Sequence, residues 1–107
     1  MNKQNIQKIL KILSSKIKLN IIVHLFFCDC NKCNVNYLTQ FFKISQPNIS
    51  ANLIYLKNHG IIQNKIEKKE RFYFLSETFK KKYGNLIRLI VEENTKYFEK
   101  ILCECKI

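Results

Sequence analysis

A chain of 107 residues with 47% hydrophobic content is sized for a single domain, residues 1–107, with a real but modest core. Nineteen basic against eight acidic residues leave a formal charge of +11, which favours nucleic acid as a partner and puts an anionic membrane surface second. No apolar run approaches the roughly 18 residues needed to span a bilayer, and Asn2, Lys3, Gln4 and Asn5 do not begin a secretory signal, so a cytoplasmic protein with no membrane partner is expected.

In chain order, Ile6, Ile9, Leu10 and Leu13 predict an amphipathic helix over 6–13, which Ser14-Ser15 interrupts and restarts. A second helix over about 17–26 carries Ile17, Leu19, Ile21, Ile22, Val23, Leu25 and Phe26 around its circumference, so it is expected to be central and covered on most sides. The polar run CDCNKCN at 28–34 reads as a loop, and a third helix over 35–42 carries Leu38, Phe41 and Phe42 inward. Residues 43–45 then form a turn short enough to hold the third helix across a fourth, the helix-turn-helix arrangement.

That fourth helix is bounded by strong local signals. Ser45 is a good N-cap, Pro47 falls in the first turn where its missing N–H costs nothing, and Gly60 suits the left-handed position after the helix end. Ile49, Leu53 and Leu56 form one buried stripe and leave Gln46, Asn48, Ser50, Ala51, Asn52 and Tyr55 outward or on the flanks. This outer face has amides and hydroxyls and no carboxylate, and an amide that donates and accepts together can read an adenine edge in the major groove. An ordinary amphipathic surface helix is the alternative.

After Gly60, β-prone segments at 62–66 and 71–75 flank the charged tip Glu67-Lys68-Lys69-Glu70. Beside a recognition helix, Lys65, Lys68, Lys69 and Arg71 suit phosphate contact or the adjacent minor groove. With Ser45, Gln46, Asn48, Ser50 and Asn52 they make the expected DNA-contacting set. From 76 to 106 the chain is again expected to be helical, with a stripe of Tyr83, Leu86, Ile87, Ile90, Tyr97, Phe98, Ile101 and Leu102. That stripe exceeds the needs of a small core. Ile6, Ile9, Leu10 and Leu13 with Leu86, Ile90, Tyr97 and Ile101 are therefore expected to wall a two-fold homodimer, unless both stripes fold back on one subunit. Catalysis finds no support: there is no Gly-rich phosphate loop, no paired-carboxylate pocket and no Ser/His/Asp set.

The resulting order is mainly α with a small hairpin: helices at 6–13 (α1), 17–26 (α2), 35–42 (α3) and 46–59 (α4), strands at 62–66 (β1) and 71–75 (β2), and a last helix (α5). Four segments in this order resemble the ArsR/SmtB family of winged helix-turn-helix repressors. SSKIKLNII at 14–22 stands where the family has S-D-P-T-R-L-R-I-L, and SQPNISANL at 45–53 resembles its S-Q-x-x-V-S-x-H-L segment. LKNHGII at 56–62 is similar to L-x-x-x-G-L-V, and KKERFYFLS at 68–76 to a wing ending in G-x-x-x-Y-x-L. Gln46 and Ser50 match family positions that contact DNA; the frequent His after the recognition-helix Ser is replaced near Ala51 and Asn52. The resemblance implies a dimer that binds a near-palindromic operator in double-stranded DNA, represses a metal-resistance or efflux gene, and leaves when an inducer binds.

The inducer question falls on five cysteines, Cys28, Cys30, Cys33, Cys103 and Cys105, an odd number in a chain read as cytoplasmic, so a disulfide framework is not expected. Arsenic-responsive members of the family carry C-x-C-x-x-C, and Cys28-x-Cys30-x-x-Cys33 has that spacing. Its register differs, because the family's usual thiolate positions fall on Asn34 and Asn36. Three sulfurs in a loop can converge on As(III), Sb(III), Cd(II) or Pb(II), or supply part of a tetrahedral Zn(II) or Cd(II) site, with Cys103 and Cys105 as further ligands. The family's Asp/His site on the last helix is missing its residues here. His24 is read as a satisfied core imidazole and His59 as a helix-end residue. Two further readings stay open: a redox- or persulfide-responsive repressor, with Lys32 and Lys106 near the thiols, and a thiol protein that buffers soft metal without binding DNA.

Overall fold

The computed structural model of the chain describes residues 6–28 and 32–102. Its elements run α1 (Ile6–Leu13), α2 (Lys16–Phe26), α3 (Val35–Phe42), α4 (Gln46–Asn58), β1 (Ile62–Glu67), β2 (Glu70–Leu75), α5 (Glu77–Glu92) and a short α6 (Thr95–Phe98). This is a winged helix-turn-helix. Each main helix after α1 starts at a polar cap that satisfies an otherwise unpaired amide: the side chains of Ser15, Asn34, Ser45 and Ser76 accept from Lys18, Tyr37, Asn48 and Phe79 N–H.

The core lies where α2 is enclosed. Ile21, Ile22, Val23 and Leu25 are buried, and around them pack Ile9 and Ile12 of α1, Leu38 of α3, Leu53 and Leu56 of α4, Leu75 of β2, and Phe79 and Ile87 of α5. The hairpin is antiparallel in the register Ile62↔Leu75 to Glu67↔Glu70, so its inner end is buried and its outer end projects. Ser76 joins these parts: its Oγ accepts from Phe79 N–H, donates to the Gly60 carbonyl at 2.9 Å, and its N–H donates to Ile61 O at 2.9 Å. The end of α4, the hairpin base and the start of α5 are thus held as one corner.

Two expectations need correction. The last helix is not continuous, because Asn94 leaves helical geometry at φ −140° and ψ 42° while its Nδ2 donates to Ile90 O. A side-chain amide that bonds a nearby carbonyl competes with the helical ladder, and the chain turns before α6. Second, Ile9 and Leu13, expected in a wall between subunits, are buried within the subunit against α2, together with Ile12. The outer face of α1 is reduced to Ile6 and Leu10, both half exposed or more.

Candidate nucleic-acid interface

Helix α4 is built as expected at both ends. Ser45 Oγ accepts from Asn48 N–H at 3.4 Å, Pro47 occupies the first turn, and no acidic residue sits there to offset the positive end of the helix. At the other end Gly60 takes φ 74°, Ile61 N–H donates to Leu56 O and Gly60 N–H to Lys57 O, the paired bonds of a Schellman motif. His59 Nδ1 donates to Tyr55 O at 2.9 Å and its ring stacks on Tyr55, so His59 does serve the helix end.

The outward face differs from expectation at two positions. Asn52 is only 8% exposed: it lies three residues from Ile49 and four from Leu56, beside the buried stripe, and its Nδ2 donates to both the backbone and the side-chain oxygen of Asn48 at 2.8 Å. It supports the orientation of Asn48, and its Nδ2 is already committed within the helix. Ile54, which the amide-centred reading passed over, is 58% exposed, and Gln46, Pro47, Asn48, Ala51 and Asn58 are exposed with it; Ser50 is half buried. The signal for Ile54 was the helical spacing 47, 51, 54, 58, which puts it on the ridge opposite Ile49, Leu53 and Leu56.

The hairpin tip is tighter than the four charged residues suggested. Glu67 and Glu70 pair, which leaves a two-residue turn in which Lys68 and Lys69 take φ 51° and 70°. Positive φ at both central residues is the pattern of a type I′ turn, whose twist suits a hairpin. Lys65, Lys68, Lys69 and Arg71 are all exposed, and Lys65 Nζ lies 3.3 Å from Glu67 Oε2, an exposed pair of little energetic weight. Arg71 and Gln46 line one open cleft with Asn34, Val35, Asn36 and Glu70, so the start of α4 and the tip end of the wing meet there. Asn34 fastens this junction: its Oδ1 caps Tyr37 N–H, and its Nδ2 donates to Glu70 Oε1 at 2.6 Å.

On other elements, Ile6, Leu10, Leu89 and Tyr97 keep large exposed apolar surfaces, while Leu86, Ile90 and Ile101 are partly buried against the subunit's own core. The Tyr97 hydroxyl donates to Asn20 Oδ1 of α2 at 3.3 Å.

Of the five cysteines, Cys30, Cys103 and Cys105 lie outside the described residues; Cys28 is half buried after α2 and Cys33 is buried before α3. Their sulfurs are 3.3 Å apart. A disulfide bond is about 2.05 Å long, and two thiolates on one tetrahedral zinc would stand about 3.8 Å apart given Zn–S near 2.3 Å. The contact is therefore thiol to thiol, within a small adjustment of a shared soft ion. Among the described residues no group of three His, Cys, Asp or Glu is placed to hold a metal. Asn34 and Asn36, the family's usual thiolate positions, are the N-cap of α3 and an exposed first-turn residue. The thiol loop is nevertheless tied to the wing, because Tyr73 N–H of β2 donates to Cys33 O at 2.9 Å. His24 is a core imidazole as expected: buried among Tyr37, Phe41 and Phe42, it donates from Nδ1 to Ile101 O at 2.8 Å and so holds the last described turn against α2.

No protein-family model and no curated protein matches the chain by sequence. Among solved structures it is similar to the transcriptional repressor BigR from Xylella fastidiosa, at 29% identity over 78% of this chain and 79% of that one, with a TM-score of 0.65. It is similar also to the transcriptional regulator HlyU from Vibrio vulnificus CMCP6, at 26% identity over 78% and 81% of the two chains and a TM-score of 0.64. The homodimeric winged helix-turn-helix DNA-binding domain Mb0332 from Mycobacterium bovis shares the fold at 20% identity, over 91% and 95% of the chains, with a TM-score of 0.63.

Proposed function

We propose that this winged-helix transcriptional regulator of the ArsR/SmtB type works as a homodimeric repressor that grips a near-palindromic operator and releases it when its cysteine thiolates are engaged. The observation that carries the reading is the pairing of a carboxylate-free, amide-bearing face on α4 with a four-cation hairpin across a shared cleft. Gln46, Asn48 and Ser50 supply base-edge and backbone contacts, while Ser45, Lys65, Lys68, Lys69 and Arg71 position the duplex through phosphates. That division of labour also speaks against a thiol protein that only buffers metal.

A lone α4 covers a few base pairs, so affinity requires two. The exposed side chains Ile6, Leu10, Leu89 and Tyr97 are the surface on which a second copy would sit, and the homodimeric Mb0332 supports that assembly. Two-fold symmetry would then set the recognition helices about one helical turn of DNA apart, roughly 34 Å, which is why the operator should be near-palindromic.

For the signal, Cys28 and Cys33 supply two of the three or four thiolates that As(III), Cd(II), Pb(II) or Zn(II) takes, the remainder coming from Cys30, Cys103 or Cys105. Cys103 follows Ile101 by two residues, a chain reach of about 7 Å, and Ile101 is already bonded to His24, four residues before Cys28. Spreading the two sulfurs moves the Cys33 peptide, whose carbonyl holds Tyr73 of the wing. A coupling of about 1–3 kcal/mol is enough to change operator affinity 5- to 150-fold, provided that the inducer binds the DNA-free form more tightly. The 3.3 Å contact favours one further reading, in which a hydroperoxide oxidises the Cys28 and Cys33 thiols to a disulfide and is itself reduced to an alcohol and water.

The test is a titration of the reduced protein on a fluorescent operator duplex with As(III), Cd(II), Zn(II) and, separately, a hydroperoxide. Release by an ion together with thiolate-to-metal absorption, both abolished in Cys28→Ser/Cys33→Ser, is expected for the metal reading. Release by the hydroperoxide alone selects the oxidative one. Retention of DNA at saturation in every arm overturns both signals.

A further inference from the structure

Ile54 sits at the middle of the outward ridge of α4, on the line Pro47, Ala51, Ile54, Asn58, while the opposite side of the helix packs against α2, α3 and β1. It is 58% exposed and lies outside the core. On a helix meant to lie in the major groove this position has a chemical consequence. A branched aliphatic group can neither accept from a base amine nor donate to a phosphate. The one apolar feature that the major-groove edge of a base pair offers is the C5 methyl of thymine.

We infer that Ile54, beside the small side chain of Ala51, is a specificity-determining residue that packs on a thymine methyl and makes the operator require a T at one fixed position of each half-site. This rests on the DNA-binding reading above. Ile54 lies about 9 Å along the helix axis from Asn48, at 1.5 Å per residue, so its thymine belongs to a different base pair from an adenine edge read by Asn48. Ala51, about 4.5 Å before it, adds no bulk that would hold the helix away from the groove floor. Lys57, next to the ridge, can take a neighbouring phosphate without competing for the base.

Replacing thymine by uracil removes the methyl and leaves base pairing intact. The chain is first used to select its preferred duplex from a random pool. Affinities of the native protein, Ile54→Ala and Ile54→Val are then measured at one salt concentration on that duplex and on versions carrying a single T-to-U change in each half-site. Loss of one buried methyl is worth about 4-fold in affinity per half-site. We expect one T-to-U position to weaken the native protein by that factor, to weaken Ile54→Val in the same way, and to leave Ile54→Ala unaffected. Thermal unfolding of the variants should match the native chain, since Ile54 is outside the core. If every T-to-U duplex weakens the native protein and Ile54→Ala equally, or weakens neither, the inference is overturned while DNA binding stands. If the chain selects no duplex at all, the DNA-binding reading fails and takes this one with it.

Discussion

Replacing Lys68-Lys69 by Asn-Gly should stabilise the protein while weakening its hold on DNA. Both lysines occupy left-handed backbone, at φ 51° and 70°, a conformation that costs an L-residue with a Cβ about 1 kcal/mol. Asn tolerates it through local hydrogen bonding, and Gly has no Cβ penalty but gives back about 0.5–1 kcal/mol through its freer unfolded chain. The net gain for the pair is about 1 kcal/mol, which corresponds to a rise of about 0.5 M in the urea midpoint for a chain of this size. The same change removes two cations from each wing tip. Each lost phosphate contact flattens the plot of log K against log salt by about 0.9, so a dimer that uses both tips should lose about 2–4 from the slope. Urea unfolding followed by circular dichroism, and anisotropy titrations at several salt concentrations, read the two effects separately. A lower urea midpoint would refute the type I′ turn, and an unchanged salt slope would refute phosphate contact at the tip.

Three further substitutions probe the frame. Gly84→Ala should raise stability by up to about 1 kcal/mol, because a helix-interior glycine is replaced by the best helix former and the new Cβ meets the Phe26 ring at 3.4 Å, an ordinary contact; a fall in Tm would mean that Phe26 cannot yield. Ser76→Ala should cost about 1–2 kcal/mol, since it removes the cap on Phe79 and the bond to Gly60 together; a neutral result in urea would show the corner to be held by backbone alone. His24→Leu should cost about 1–3 kcal/mol by leaving the Ile101 carbonyl without its donor, and faster protease cleavage near residue 101 is the accompanying readout.

What could be read from the residues was what local chemistry decides. Ser45, Pro47 and Gly60 bound α4 in the structure because capping and left-handed backbone depend on residues a few positions apart. The hairpin and the enclosed α2 followed from apolar periodicity for the same reason. Asn52 was misplaced because an amide beside the buried stripe can turn inward when Asn48 satisfies it, which composition does not reveal. The break at Asn94 was hidden by Tyr97, Phe98, Ile101 and Leu102, which continue an apolar pattern while serving a turn that packs on α2. Ile9 and Leu13 show the limit of a stripe on its own: periodicity says that a face is buried, and only the packing of α1 on α2 says against what. The meeting of Cys28 with Cys33, and the bond from Cys33 O to Tyr73, depend on tertiary placement across the chain.

The central claim is that α4 and the wing hold duplex DNA. Its most direct measurement is the affinity of the purified chain for its selected duplex between about 50 and 200 mM salt. With four wing cations per subunit exposed, log K should fall linearly with log salt at a slope between about −4 and −7, as about 0.9 per phosphate contact predicts. A slope near zero, or no binding at the lowest salt, would contradict it.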